Sequence, residues 1–338
     1  MQKKLVPSKR NIPVDTLRGL ACILLVAYHV IGVTPESGLR LHDGILKNAN
    51  ELLAYIRMPL FTFLSGFVYA WRPYNRDCKK FVKGKFRRLI VPMLVVGTAF
   101  AFFQSITPGT NAAITDWRYI HLMPVAHYWF VESLFLIFMV LIPLEHFSVL
   151  DSKTGLAIVF LIASLLFVFN VGTPWLSIAG AAYLFPYFLI GLYCSRFPID
   201  FQFKRAAGTT FLLIVILFLV FYGIQYAGGR RSFIALLIGT ISCVSLLYIR
   251  FESVLLSSIG FYSYPIYLLH VFFTAASRIV FKSAGVTNIW ILFILGTVIG
   301  LAGPIIVELF ASKFPLSRIP LPGKAPFKKA AISEAVTT

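Results

Sequence analysis

Arg18 and His29 lie eleven positions apart in a stretch that is otherwise apolar enough to cross a membrane. An α-helix turns about 100° per residue, so eleven steps make about three full turns and bring both side chains to one face. The rise between them is about 16 Å, which places Arg18 near one bilayer surface and His29 beyond the centre. Polar side chains at that depth are costly unless they are paired, hydrated or functional. The pair therefore marks a candidate site, in which neutral His29 would act as a general base on a hydroxyl group.

Each of these two residues also has an ordinary structural interpretation. His29 could be a core histidine that is hydrogen-bonded to a neighbouring helix. Arg18 follows Asp15 by three positions and could be a basic anchor with a local ion pair. Their shared helix face favours a functional role for both.

Further polar and amphipathic residues are predicted at a depth similar to that of His29, and they would form a polar cavity with it. They are Arg57, His127, Trp129, Glu132 and His270. Each alone could be a satisfied core or interface residue, and Trp129 is typical of the aromatic belt at a membrane surface. We interpret four of them, namely Arg57, Trp129, Glu132 and His270, as candidate contacts to a bound substrate.

The segment of residues 72–88 holds eight basic residues and one acid. Lys85, Arg87 and Arg88 lead directly into the third predicted span and are therefore predicted at a helix N-terminus, where positive charge opposes the helix dipole. A bound phosphate group would relieve that conflict. The same charges could instead serve only membrane topology or contact with anionic lipid.

The elements that position these residues are membrane helices. Of 338 residues, 58% are hydrophobic and 13% are charged, and the mean hydropathy is +0.82, which is far too apolar for a soluble protein. We predict an all-α integral membrane bundle within residues 1–314, followed by a basic, disordered tail at residues 315–338. Ten spans are predicted, at residues 14–34, 52–71, 88–106, 128–147, 154–170, 179–195, 208–227, 231–249, 255–280 and 288–312.

The distribution of basic residues predicts the orientation of the bundle. With the N-terminus inside, the cytoplasmic side receives 23 of the 31 lysines and arginines, so both termini are predicted to be cytoplasmic. The net charge of +18 is not spread as a nucleic-acid surface requires, and no nucleic-acid partner is predicted. No small-residue cleavage site closely follows the first span, which we therefore interpret as a membrane helix and not as a signal peptide.

The familiar motifs of soluble enzymes are absent from the sequence. It contains no G-x-S-x-G, P-loop, G-x-G-x-x-G, H-E-x-x-H or C-x-x-C motif. The four cysteines suggest neither a disulfide framework nor a metal site, and no metal is predicted. Ser65 and Gly66 stand between aromatic residues, which is typical of close helix packing.

An ordered set of motifs resembles the membrane-bound acyltransferase 3 family over essentially the full chain. The most specific motif is the arginine, ten residues, histidine pattern from Arg18 to His29, followed by Phe63-Leu-Ser-Gly-Phe67 and by Lys85-Phe-Arg-Arg88 before Pro92. Weaker matches are His127-Tyr-Trp129-Phe, Tyr187-Phe-Leu-Ile-Gly191 and Ser263-Tyr-Pro-Ile-Tyr-Leu-Leu-His270. Such proteins transfer acyl groups, most often acetyl, to cell-surface carbohydrates and related molecules.

The resemblance implies a role for several residues. His29 would be the catalytic histidine, while Arg18, Arg87 and Arg88 would bind the acyl donor from the cytoplasm. Members of the family often have arginine where this chain has Lys85, so a donor contact there would keep the charge but lose the bidentate fork. Some members carry an additional periplasmic esterase-like domain, which we do not expect here.

Together these observations predict a multi-pass O-acyltransferase, typical of a bacterial inner membrane. It would move an acetyl or succinyl group from acyl-coenzyme A, as co-substrate, to a hydroxyl of a cell-surface or lipid-linked carbohydrate. The candidate contacts to that acceptor or to the oxyanion would be Arg57, Trp129, Glu132 and His270. Membrane lipids would be its other partners, and no permanently bound cofactor is predicted. The main alternative is a secondary transporter or lipid-linked sugar flippase, because buried ionisable groups also suit a translocation path. A third interpretation is a non-catalytic sensor or scaffold at the membrane.

Overall fold

The computed structural model describes residues 11–32, 34, 36–107, 116–123, 125–199, 202–222 and 229–313. These residues form helices and no strand, which confirms the predicted all-α class. The predicted tail at residues 315–338 lies outside the described residues.

Twelve α-helices follow one another along the described chain. They are α1 Ile12–Ile31, α2 Ile45–Tyr69, α3 Cys78–Lys85, α4 Val91–Ile106, α5 Trp129–His146, α6 Lys153–Val168, α7 Ile178–Arg196, α8 Lys204–Tyr222, α9 Phe233–Ile249, α10 Val254–Phe261, α11 Ser263–Ser283 and α12 Ile289–Ala311. A π-helix, Phe86–Ile90, joins α3 to α4, and short 3-10 helices occupy Trp117–Tyr119, Val149–Asp151 and Trp175–Ser177.

Eight helical segments of the described chain are long and apolar enough to cross a membrane. Two further apolar helices, α6 and α9, have 16 and 17 residues and correspond to the fifth and eighth predicted spans. The total of ten spans and the cytoplasmic location of the termini remain predictions. We call the end of the bundle at the start of α1 the Arg18 side and the opposite end, where α11 finishes, the Arg278 side.

The third predicted span begins earlier than expected. One continuous helical segment runs from Cys78 to Ile106, instead of starting at residue 88. The side chain of Asp77 accepts a hydrogen bond from the backbone N–H of Lys80 at 3.0 Å and caps its first turn. The prediction that Lys85, Arg87 and Arg88 lie at a helix N-terminus is therefore wrong, and the proposed conflict with the helix dipole does not arise there.

The ninth predicted span, residues 255–280, is divided in two. It consists of the eight-residue α10 and the longer α11, which are separated at Tyr262 with φ −95° and ψ 17°. α10 packs against the first half of α1, where a Cβ at Gly19 would lie 1.9 Å from the carbonyl oxygen of Leu256. This short helix closes the Arg18 side of the bundle around α1.

Close packing of α2 on α7 confirms the interpretation of Ser65 and Gly66. A Cβ at Gly66 would lie 2.0 Å from the carbonyl oxygen of Phe188, and one at Gly191 would lie 1.9 Å from that of Phe63. Only glycine allows two helix backbones to approach so closely. The contact fixes α2, and with it Arg57, relative to the rest of the bundle.

Candidate active site

Three histidines from distant parts of the sequence meet where α1 ends, beside the start of α5 and the first half of α11. His29 lies in the last turn of α1, His127 two residues before α5, and His270 in the first half of α11. Their ring centres are 5.5 Å apart for His29 and His127, 4.9 Å for His29 and His270, and 4.7 Å for His127 and His270. One ring nitrogen from each residue lies within 4.8 Å of the other two. We call these residues the histidine cluster.

Backbone carbonyls determine which nitrogen carries the proton in two of the rings. His127 Nε2 lies 2.9 Å from the carbonyl oxygen of Tyr267, and His270 Nδ1 lies 2.8 Å from that of Ile266 and 2.9 Å from that of Tyr267. A carbonyl oxygen can only accept, so these ring nitrogens must be the donors. The other nitrogens, Nδ1 of His127 and Nε2 of His270, are buried and have no hydrogen-bond partner within the described ranges. Each neutral ring therefore offers a lone pair.

The position of His127 is fixed by further contacts to α11. The Tyr267 hydroxyl donates to the backbone carbonyl of His127, and the Tyr128 hydroxyl donates to that of Leu268 at 2.9 Å. These hydrogen bonds hold His127 in place against α11.

The space between the three rings is of a size for a hydroxyl oxygen or for a metal ion. A tetrahedral zinc ion with Zn–N bonds of about 2.0–2.1 Å needs ligand nitrogens about 3.4 Å apart. The three nitrogens all lie within 4.8 Å of one another, so a point between them is no more than about 2.8 Å from each, which is also a hydrogen-bond distance to a hydroxyl oxygen. The cluster as it stands can hold the hydroxyl group of a substrate or a water molecule.

Arg57 is connected to this cluster through the ring of Tyr28. Its guanidinium carbon lies 4.0 Å from the centre of the Tyr28 ring, and that ring contacts His29 with centres 4.9 Å apart. Arg57 Nε donates to the Leu24 carbonyl at 3.0 Å, and Nη2 donates to the side-chain oxygen of Asn50 at 2.7 Å. The side chain is 3% exposed, so these bonds hold a buried positive charge beside the histidines.

Asn50 and Tyr28 were missed by the sequence analysis. Asn50 also donates to the carbonyl of Gly32 at 3.0 Å, so it connects Arg57 to the end of α1. A signal was present, because Asn50 precedes Arg57 by seven positions, which is two helical turns on one face. An asparagine in this register inside an apolar helix indicates a partner for the arginine.

Trp129 and Glu132 of α5 contact the start of α7. The hydroxyl of Ser177 donates to Glu132 at 2.7 Å, and a Cβ added at Gly180 would lie 2.8 Å from the Trp129 ring. The Glu132 carboxylate is therefore already engaged in a buried hydrogen bond. The predicted roles of both residues toward the acceptor stay predictions.

On the Arg18 side, the predicted donor-binding residues differ in their surroundings. Arg18 pairs with Asp15 at 3.3 Å and keeps 31% of its side chain exposed. Arg87 and Arg88 are exposed on the π-helix, and the Tyr264 hydroxyl donates to the carbonyl of Arg88, which connects that helix to α11. π-helical turns often occur at functional sites because they redirect side chains.

Lys85 is enclosed by aromatic rings. Its ammonium nitrogen lies 3.4 Å from the ring centre of Phe138, 5.3 Å from that of Phe81 and 5.8 Å from that of Tyr69. These cation–π contacts account for a half-buried cation without a phosphate partner. Arg87 and Arg88 are therefore better placed than Lys85 to bind an anion from solution.

Comparison with known proteins agrees with this architecture. A family model described as an acyltransferase domain, that of the acyltransferase 3 family, matches residues 11–309. The chain belongs to the acyltransferase 3 family. It is accordingly an acyltransferase, and its apolar helices make it a multi-pass membrane protein. No curated protein and no solved structure matches the chain.

The matched region contains the whole of the histidine cluster and the basic residues of the Arg18 side. The family model therefore covers both groups of residues that form the candidate site.

Proposed function

We propose that this acyltransferase moves an acetyl or succinyl group from acyl-coenzyme A to a hydroxyl of a cell-surface or lipid-linked carbohydrate. The observation that carries the proposal is the histidine cluster, in which His29 meets two neutral imidazoles with fixed tautomers and available lone pairs. Such a site accepts protons from hydroxyl groups and has no nucleophile of the serine or cysteine type in the cluster. Direct transfer from donor to acceptor suits it best.

His29 is the general base in this proposal. Its imidazole removes the proton of the acceptor hydroxyl while the oxygen forms a bond with the carbonyl carbon of the thioester. The carbon–sulfur bond then breaks, and the proton passes from His29 to the sulfur of coenzyme A. The products are an ester on the acceptor and free coenzyme A, and His29 returns to its neutral form.

His127 and His270 orient the acceptor. Since their available nitrogens carry lone pairs, they accept hydrogen bonds from hydroxyl groups and, while neutral, offer no N–H to an oxyanion. We therefore assign His270 to the acceptor and leave the oxyanion to Arg57. The hydrogen bonds of Arg57 to Leu24 and Asn50 use Nε and Nη2. The guanidinium carries further N–H groups that can donate to an oxyanion.

The donor approaches from the Arg18 side, which we propose to be cytoplasmic. Arg18, Arg87 and Arg88 bind the phosphates of the nucleotide, and Lys85 supports the same helix through its aromatic contacts. The extended pantetheine arm then covers the rise of about 16 Å along α1 from Arg18 to His29. The protein would thus work in the inner membrane of a bacterium, with acyl-coenzyme A supplied from the cytoplasm.

Mass spectrometry of the surface glycans tests this function in cells. Cells that produce the protein are expected to carry glycans heavier by an acetyl or a succinyl group, and the mass difference identifies the donor. Cells that lack it, and cells that produce the His29→Ala variant, are expected to lack the modification. An unchanged glycan in cells with and without the protein would contradict the carbohydrate acceptor.

A further inference from the structure

A large apolar groove opens toward the membrane on the Arg278 side, between α4 and α11. Its volume is about 500 Å³, which is within the range of sites for small ligands. Among the residues that line it are Phe100, Phe103 and Gln104 of α4 and Val271, Phe272 and Ala276 of α11. Phe103 and Ala276 are exposed, so a hydrocarbon chain in the bilayer reaches the groove without a change of fold.

The inner wall of the groove is shared with the histidine cluster. The Phe100 ring packs edge-on against Phe272 with ring centres 5.2 Å apart, and its other contacts include His127 at 6.3 Å. Val271 directly follows His270 in α11. A single aromatic layer thus separates the membrane-facing groove from the residues that we assign to the acceptor.

A basic residue, Arg278, lies at the rim of the groove. Arg278 lines it and donates to the backbone carbonyl of Gly38 at 2.9 Å, while Arg40 and Lys282 lie close enough to repel Arg278 electrostatically. Arginine side chains bind phosphate groups through charge-assisted hydrogen bonds, which can be bidentate. The rim is therefore complementary in charge to the phosphate of a lipid.

The distance between Arg278 at the rim and the histidine cluster also restricts the size of a ligand that contacts both. Arg278 follows His270 by eight residues of the same helix, a rise of about 12 Å. A phosphate at Arg278 and a hydroxyl group at the histidine cluster are thus separated by a distance that a sugar attached to that phosphate can cover. An acceptor without a lipid anchor would use neither the groove nor the basic rim.

We propose that the groove binds the acceptor as a lipid-linked glycan, with its hydrocarbon chain between α4 and α11 and its phosphate at Arg278. The sugar then extends past Phe100 and Phe272 to the histidine cluster. This inference rests on the proposed acyl transfer to a carbohydrate and adds that the carbohydrate arrives sideways from the bilayer. An ordinary bilayer phospholipid is the competing occupant.

Photo-crosslinking of the full-length protein in nanodiscs tests the groove without requiring acyl transfer. The probe is a polyprenyl phosphate with a diazirine on its chain. Crosslinked peptides are expected from α4 and α11, and excess unlabelled polyprenyl phosphate is expected to suppress them much more strongly than the same excess of phosphatidylglycerol. Equal suppression by phosphatidylglycerol would identify the groove as an ordinary lipid contact and overturn the proposal.

Two variants make the crosslinking specific. Ala276→Trp fills the groove and is expected to reduce labelling by about tenfold or more, since the chain loses its space. The matched control, Ala157→Trp, adds the same ring at an exposed position of α6 and is expected to leave labelling within about twofold. Labelling that survives Ala276→Trp unchanged would contradict the assigned site.

The charge of Arg278 provides a second test for the case in which the tryptophan variant fails to fold. Arg278→Gln is expected to weaken retention of the polyprenyl phosphate by about tenfold, whereas Arg278→Lys keeps the charge and retains it. Equal retention of polyprenyl phosphate by Arg278→Gln and Arg278→Lys would contradict a phosphate site at Arg278. Crosslinking as expected in a protein that releases no coenzyme A would leave the groove intact and reject the proposed function instead.

Discussion

The His29→Ala variant is expected to lose acyl transfer while still folding and inserting into the membrane. Without the imidazole, nothing in our mechanism takes the proton from the acceptor hydroxyl or returns it to the sulfur of coenzyme A. General base catalysis alone contributes about 10²–10⁴-fold, so kcat should fall at least by that factor. Acyl transfer to the glycan, measured by mass spectrometry of the product, gives the size of the effect.

A second histidine serves as the control for His29. His146 lies at the opposite end of the bundle, is exposed and contacts Phe147. His146→Ala is therefore expected to keep full activity, and both variants should unfold at temperatures close to that of the unaltered protein. Normal acylation by His29→Ala would remove the central catalytic assignment.

The Arg88→Ala variant is expected to use acyl-coenzyme A poorly. A hydrogen bond to a charged group contributes about 1.5–3 kcal/mol, so loss of one phosphate contact should raise the KM for the donor about 10- to 100-fold. The value of kcat at saturating donor should change much less, because Arg88 lies far along the bundle from the histidine cluster. Initial rates over a range of acyl-coenzyme A concentrations separate the two effects.

Acyl-pantetheine, a shortened donor, shows whether Arg88 acts on the donor through the phosphates of coenzyme A. Acyl-pantetheine retains the thioester but lacks the nucleotide, so the unaltered protein and Arg88→Ala should use it equally poorly. Lys83→Ala is the matched control, since Lys83 is an exposed basic residue one turn before the π-helix. A KM for acyl-coenzyme A that is the same in Arg88→Ala and in the unaltered protein would remove the phosphate role.

Features within one helix could be predicted from the sequence, because helical periodicity determines them. The eleven-residue spacing places Arg18 and His29 on one helix, and the small residue at Gly66 marks the close approach of α2 to α7. Both are local patterns whose meaning depends on 3.6 residues per turn and on side-chain size. The family resemblance was also carried by such patterns and is confirmed by the match to residues 11–309.

The meeting of His29 with His127 and His270 could be anticipated only as a shared depth in the membrane. Depth follows from counting residues along each helix, whereas the lateral neighbours depend on how the helices pack. The sequence also could not indicate the tautomers of His127 and His270, because these depend on backbone carbonyls of α11. Those hydrogen bonds are the reason why we propose an acceptor-binding role for both histidines and not an oxyanion role.

In the basic segment of residues 72–88, the sequence again indicated local features but not tertiary contacts. Its charges were evident, but the hydropathy window missed the first turns of the third span because α3 is rich in lysine. Polar residues extend a membrane helix beyond its apolar part when the local capping allows it, as Asp77 does here. The aromatic surroundings of Lys85 involve Phe138 of α5 and are a tertiary contact that no local pattern reveals.

Release of coenzyme A by the purified protein tests the proposed reaction most directly. Acetyl-coenzyme A and a glycan acceptor are mixed with the protein, and free thiol and acylated glycan are measured together. We predict one thiol for each ester formed, little thiol without the acceptor, and neither product with His29→Ala. Movement of the glycan across a membrane with no release of thiol would contradict the account and identify a transporter.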